Sequence, residues 1–423
     1  MSLLRDTSVT VVGRWAGTAA AAGAGLVVAS VAGAAGAGTF AMVRVAPATV
    51  AAVLGAGMAT ANAYLIGSGK RAPQAIAETT MALGVLFGAL GWAAWWLAGD
   101  LVHSRFFPHL STATVTVIGS TILLNLLRDY LNSLQQGLKR FTEASVVLAL
   151  DDVCALLLLL PALVVPSEVN TLIVASSIAG IAVSVLTAIG LLVRAGVRPW
   201  PRLHLAIVRE AIGFGMRGHI GRLATLLTWR LDVMILSTLA SVEVVGCYAV
   251  ASKVAELFRP LGASLTFVLR PLIASLSAAE ARVRGLVLYR RVFLINLAAV
   301  AIMAIVGGQL IVTLFGPEFA PAVPAFQILL IGLAAQGADP VLNGYYVGIG
   351  RPEYNTYTAL AGLAVTIVAD IALIPPYGLV GAAVASSLAY TTKAAAFTGL
   401  FLATSGFSFA ELVGAKAYGT DAA

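Results

Sequence analysis

The chain has 423 residues, of which 60% are hydrophobic and 11% charged, and its mean hydropathy is +0.95. A soluble protein of this size cannot bury so much apolar surface, so the composition describes an integral membrane protein with many spans. The net charge of +7 fits basic cytoplasmic loops, and with no basic low-complexity tail and no aromatic–basic platform nucleic-acid binding is set aside.

The apolar runs are near 20 residues long, the length of a bilayer-crossing helix rather than of a ten-residue strand. The fold class is therefore an all-α polytopic membrane protein. Twelve helices are expected, at about 8–37, 39–66, 74–99, 110–137, 143–165, 169–194, 206–238, 243–276, 288–315, 321–349, 354–375 and 379–405. The Ala/Gly-rich start imitates a secretory signal; it is read as a retained first helix, being too long for a signal core and required by the parity of later loops. Even-numbered connections carry Lys70, Arg71, Lys139, Arg140, Arg194, Arg198, Arg202, Arg209, Arg282, Arg284, Arg290, Arg291 and Arg351; the ends add Arg5, Arg14 and Lys416. Odd-numbered connections hold Arg105 and otherwise Glu168, Glu243 and Glu318. This alternation puts both termini in the cytoplasm. The largest connection is about 195–205, so no soluble domain is expected. Cys154 and Cys247 sit singly in apolar runs, and the four histidines lack metal-ligand spacing, so neither a disulfide scaffold nor a metal site is expected. No nucleotide-binding loop and no hydrolase motif is present.

The sequence repeats itself. LNSLQQGLKR (131–140) and LNGYYVGIGR (342–351) align without a gap at an offset of 211, and GTFA (38–41) and GCYA (246–249) at 208. Both offsets are near half the chain, and each match pairs corresponding helices. The reading is two six-helix lobes, 1–200 and 201–423, in parallel orientation, with a substrate path and alternating access between them. The alternative is chance matching in a biased composition.

Charges inside the spans are the candidate functional residues. In TWRLDVMIL (228–236), Arg230 and Asp232 lie about 200° apart on a helix and cannot pair with each other. Arg230 lies about 12 Å, and Lys253 and Lys393 about 15 Å, into their helices. With Arg44 and Arg259 they suggest a cationic cavity for an anionic group such as phosphate. For each residue the competing reading is a structural ion pair. Lys253, Glu256 and Arg259 form one stripe that can partly self-pair. Asp232 is expected to face a neighbouring helix with an Arg or Lys partner. Arg128 and Asp339 are related by the repeat offset, which suggests a cross-lobe salt bridge closing the cytoplasmic side in the outward-open state. Asp129, Asp151, Asp152 and Asp232 are candidate H+ or Na+ sites, with pairing to Arg128 or Arg230 as the alternative. Arg217, Arg270 and Asp370 are placed near helix ends, where they can snorkel to water.

Four further stretches are RLDVMILSTLASVEVVGCYAVASKVAELFRPLGASLTFVLRPLIA (230–274), LFGPEFAPAVPAFQILLIG (314–332), LIPPYGLVGAAVASSLAY (373–390) and LNSLQQGLKRF (131–141). In that order they resemble helices seven and eight, the helix 9–10 turn, the helix 11–12 connection and the end of helix four of the bacterial polysaccharide flippases of the multidrug/oligosaccharidyl-lipid/polysaccharide exporter superfamily. The resemblance covers most of the chain from about residue 110. The family's Gly-Pro-x-x-Tyr-Gly signature after helix one is replaced here by AGAGTFA (35–41). The resemblance implies two lobes forming a V, a central cationic cavity, and translocation of an undecaprenyl-pyrophosphate-linked oligosaccharide to the outer leaflet. It also implies drive by an ion gradient without ATP.

A multidrug/cation antiporter of the same fold is the alternative; it would favour an acidic cavity. A membrane polysaccharide polymerase or ligase is less favoured, since no sizeable outer loop is present, and a non-transporting scaffold leaves the intramembrane charges unexplained. The expected setting is the bacterial cytoplasmic membrane. The expected partners are the lipid-linked oligosaccharide, membrane lipids and glycosyltransferases or polymerases; no cofactor beyond H+ or Na+ is expected, and the chain is read as a monomer.

Overall fold

A computed structural model describes residues 2–69, 71–258, 273 and 276–412. Every regular element among them is helical. In chain order these are α1 (Ser2–Leu54), α2 (Met58–Gly67), α3 (Pro73–Leu97), α4 (Gly99–Phe106), α5 (Thr112–Gly137), α6 (Phe141–Leu159), α7 (Val169–Arg194), α8 (Leu205–Thr228) and α9 (Leu231–Leu239). Then follow α10 (Val242–Ala255), α11 (Ala278–Phe315), α12 (Ala322–Ala335), α13 (Asp339–Gly348), α14 (Glu353–Ser405) and α15 (Phe409–Leu412).

Among the described residues seven helices are long and apolar enough to cross a membrane. Two of them are far longer than one crossing, and each is folded at a glycine. α1 turns at Gly33 (φ 59°, ψ −154°) and α14 at Gly378 (φ 52°, ψ −124°), backbone conformations open to glycine and costly for other residues. Pro375 and Pro376, just before the second turn, remove two amide donors and weaken the helix there. The first turn was expected near Gly38 and falls at Gly33 instead. Periodicity could not locate it, because the run 31–38 consists of small residues throughout.

Other boundaries moved for local reasons. α11 starts ten residues before the apolar run, because Ser277 and Glu280 form a capping box: Glu280 N donates to Ser277 Oγ (3.3 Å) and Ser277 N to Glu280 Oε2 (2.9 Å). The expected helix 39–66 is broken at Ala56–Gly57, the helix 206–238 at Trp229–Arg230, and the helix 321–349 at a 3-10 turn, Gln336–Ala338.

Contacts divide the chain into two compact units: Met1–Leu223 with Ala240–Gly246, and Ala224–Leu239 with Cys247–Ala423. In the first, α1 packs on α5, α6 and α7, and α3 on α5. Its interior holds satisfied polar side chains: Asn62 donates to Ser133 Oγ (3.0 Å) and accepts from Thr80 Oγ1 (2.9 Å). Gly38 and Gly246, the first residues of the duplicated GTFA and GCYA motifs, bring the backbones of α1 and α10 together; a Cβ on Gly38 would overlap the Val242 carbonyl, and one on Gly246 the Ala34 carbonyl. In the second unit α14 packs on α12 and α9. Its core is aromatic, with Tyr345, Tyr346, Phe397 and Phe401 buried against one another. Large apolar side chains are exposed along α11, with Ile305 81% accessible, as expected of a lipid-facing helix.

Candidate functional site

In the first unit, helices α1, α5, α6 and α8 bring together a continuous chain of charges. Arg44 Nη2 lies 2.6 Å from Asp152 Oδ1 and 3.5 Å from Asp151 Oδ2. Arg128 Nη1 reaches Asp151 Oδ2 at 2.5 Å, and its Nη2 reaches Asp129 Oδ1 at 3.3 Å. Arg222 Nη2 closes the chain on Asp129 Oδ2 at 3.7 Å. Adjacent residues on α6 point about 100° apart, so Asp151 turns inward to two guanidinium groups while Asp152 holds one. Among the described residues this group joins three arginines, Arg44, Arg128 and Arg222, to three aspartates, Asp129, Asp151 and Asp152, with Arg222 and Asp129 at its exposed end. Its hydrogen-bonding capacity is not used up: the donors Arg44 Nη1 and Arg128 Nε and the acceptor Asp151 Oδ1 are buried without a hydrogen-bond partner among the described residues.

The second unit treats its charges differently. Asp232, on α9, is buried and accepts hydrogen bonds from the Tyr248 hydroxyl, Ser386 Oγ (2.8 Å) and its neighbour's amide, Val233 N (2.7 Å). The cationic partner expected for Asp232 is replaced by hydroxyl groups from α10 and α14. Asp370, also on α14, is 0% exposed, and neither of its carboxylate oxygens has a hydrogen-bond partner among the described residues. Asp370 was expected to snorkel from a helix end. The helix instead runs on to Gly378, which leaves Asp370 two turns inside it. Lys393 Nζ pairs with Asp339 Oδ2 at 3.5 Å and lies 6.0 Å from the Trp229 ring and 5.7 Å from the Phe397 ring.

Two of the five residues expected to line a cationic cavity, Arg44 and Lys393, therefore have counter-ions in their own units. Arg128 and Asp339, expected to pair with each other in one state, find Asp151 and Lys393 here. Arg230 sits in the break between α8 and α9, half-buried, with no ion pair among the described residues. Lys253 is exposed on α10, and Glu256 borders a small recess with Ser252, Leu329, Leu333 and Tyr390. Arg259 and Arg270 lie outside the described residues. No cluster of metal-ligating side chains occurs among the described residues. Outside the spans, burial holds the His109 imidazole below its usual range against the opposing pull of Glu243; its Nε2 lies 2.8 Å from Thr39 Oγ1.

Asp370 is the buried carboxylate that sequence reading misplaced. The signal for it was present: a lone carboxylate eight residues before Gly378, set among Ala, Ile and Val with no basic residue within a turn.

Long apolar helices enclosing ion pairs and carboxylates define a polytopic membrane protein of transporter architecture. The family model described as "Polysaccharide biosynthesis protein" matches residues 34–324. The chain belongs to that polysaccharide biosynthesis family, and its fold is that of the exporter superfamily. An inward-facing multidrug resistance MATE family transporter of the MOP superfamily superposes with a TM-score of 0.72, covering 93% of this chain and 94% of that one at 15% identity. An outward-facing structure of such a transporter gives 0.68 over 95% of both chains at 16% identity. A MOP superfamily transporter from Pyrococcus furiosus, described as having a binding pocket of reverse polarity, gives 0.63 over 95% of both chains at 15% identity. An uncharacterized membrane protein of Methanocaldococcus jannaschii is 28% identical over 191 residues, 44% of this chain; the match takes in 37% of that relative's length.

Proposed function

We propose that the protein carries a polyprenyl-pyrophosphate-linked oligosaccharide from the inner to the outer leaflet of the bacterial cytoplasmic membrane, by alternating access and driven by an ion gradient. The observation that supports this most directly is a polysaccharide biosynthesis family match over residues 34–324 in a chain whose apolar sequence carries Arg44, Arg128, Arg230 and Lys393 in segments expected to cross the membrane. Cations at that depth are costly unless they meet an anion. A pyrophosphate suits them, since guanidinium groups bind phosphate oxygens in a bidentate fork and an ammonium binds them as a point charge. Arg230 is available without displacing a counter-ion, whereas Arg44 and Arg128 would exchange aspartate oxygens for phosphate oxygens.

The driving ion is assigned to Asp232 and Asp370. Asp370 has no donor among the described residues; ionised, it is strongly disfavoured, and H+ or Na+ relieves that penalty, while Asp232, held by three donors, offers a second carboxylate. Asp232, Asp370, Ser386 and Tyr248 supply only oxygen ligands, the hard donors that such ions take. Glycosyltransferases that build the glycan at the inner leaflet would supply the substrate.

The test is flipping of a polyprenyl-pyrophosphate oligosaccharide in proteoliposomes under an imposed H+ or Na+ gradient. Arg230→Ala and Lys393→Ala are expected to slow it at least tenfold. Drug extrusion without any movement of the lipid-linked glycan would overturn the reading in favour of a cation antiporter, whose substrates the carboxylates of the second unit would suit.

A further inference from the structure

The connection after α7 is a fixed strap. Residues 195–204 are tied to the first turns of α3 at five points. Arg198 N donates to Gln74 Oε1 (2.8 Å), and Gln74 Nε2 returns a bond to the Arg198 carbonyl (2.6 Å). Arg202 N reaches the Glu78 carbonyl (3.3 Å), and His204 N reaches Thr79 Oγ1 (3.4 Å). His204 Nε2 lies 2.8 Å from Glu78 Oε2. Val197 and Pro199 turn inward and are buried. The same fastening holds the other side chains outward: Trp200 is 71% exposed, Leu203 50% and Leu205 79%. Arg194, Arg198, Arg202 and Arg209 are exposed beside them, and none of the four forms an ion pair among the described residues. The adjoining Glu210 is engaged by Arg71 at 3.2 Å.

An ordered segment that exposes a tryptophan and two leucines among four arginines is poorly matched to water. It is well matched to the headgroup layer, where indole rings settle and anionic lipids attract guanidinium groups. We propose that the strap 195–204, with Arg194 and Arg209 at its ends, is a docking surface for anionic phospholipid headgroups, into which Trp200, Leu203 and Leu205 insert. Charge complementarity selects this occupant: among the described residues the surface offers four cations outside any ion pair, its neighbours Glu78 and Glu210 are both engaged, and the sequence pattern expects the basic connections on its side. The site is separate from the intramembrane charges and does not depend on what the protein transports.

Native mass spectrometry of the full chain, titrated in detergent with phosphatidylglycerol or phosphatidylcholine, tests it. Phosphatidylglycerol is expected to bind in preference, and R198Q/R202Q/R209Q to weaken that binding by about fivefold per arginine removed. The control R284Q/R291Q/R351Q neutralises three other exposed arginines and is expected to leave the preference largely intact. In nanodiscs, brominated lipid should quench a component of tryptophan fluorescence that disappears in W200F, a readout independent of whether the triple variant folds. Equal loss in the two triple variants, no preference for phosphatidylglycerol, or quenching of Trp200 by aqueous iodide but not by brominated lipid would overturn the proposal. Displacement of phosphatidylglycerol by millimolar inorganic pyrophosphate would also overturn it, pointing to free phosphate as the ligand.

Discussion

The two units bury charge in opposite ways. The first closes its charges on themselves: Arg44, Arg128 and Arg222 face Asp129, Asp151 and Asp152 in one chain. The second pairs Lys393 with Asp339, holds Asp232 with two hydroxyls and an amide, and leaves the Asp370 oxygens without a hydrogen-bond partner among the described residues. A buried ion network contributes to stability only while complete, because removing one member leaves a buried charge uncompensated. A carboxylate without a counter-ion contributes little to stability and is available for an ion to bind. On this difference rests the proposal that the carboxylates of the first unit are structural and that Asp370 serves transport.

Breaking the first network should therefore have the largest effect. Asp151→Ala removes the acceptor of two guanidinium groups and should cost about 3–5 kcal/mol, read as a lower midpoint of thermal unfolding in detergent. Next comes Lys393→Met, which strands Asp339 among aromatic side chains; a loss of about 3 kcal/mol is expected, with Lys393→Met/Asp339→Leu restoring most of it. An unrestored double variant would mean that the pair does not account for the loss. Tyr248→Phe takes one donor from Asp232 and should cost about 1–3 kcal/mol. The smallest effect on stability belongs to Asp370→Asn, within about 0.5 kcal/mol of wild type, since no hydrogen bond of the carboxylate is lost. Its effect on transport should be the reverse: flipping should lose its dependence on the imposed ion gradient. If Asp370→Asn instead destabilises as much as Asp151→Ala, the contrast between the units fails.

Much of the architecture was legible in the chain. Long apolar runs can satisfy their backbone in lipid only as helices, so hydropathy locates spans without tertiary information. Charged residues announce themselves in the same way, which is why Arg44, Arg128, Asp151, Asp232 and Lys393 stood out. Their partners did not. Whether Asp151 meets Arg44 or Arg230 depends on which helix faces are turned together. A fragment such as 31–38, made of small residues all round, carries no face to read. Asp370 was misjudged for a related reason: its depth depended on where α14 bends, and Pro375 suggests an end three residues before the one that Gly378 makes.

By itself the sequence determined a membrane protein of many helices, its duplicated glycine motifs and the identities of its intramembrane charges, because these follow from transfer free energy and spacing along one chain. Only the tertiary structure decided that Asp232 is held by Tyr248 and Ser386, that Asp370 is buried without a hydrogen bond among the described residues, and that Gln74 and Glu78 hold the strap with Trp200 facing out. Those outcomes arise from side chains distant in sequence meeting in one place, and helix packing alone sets which of them meet.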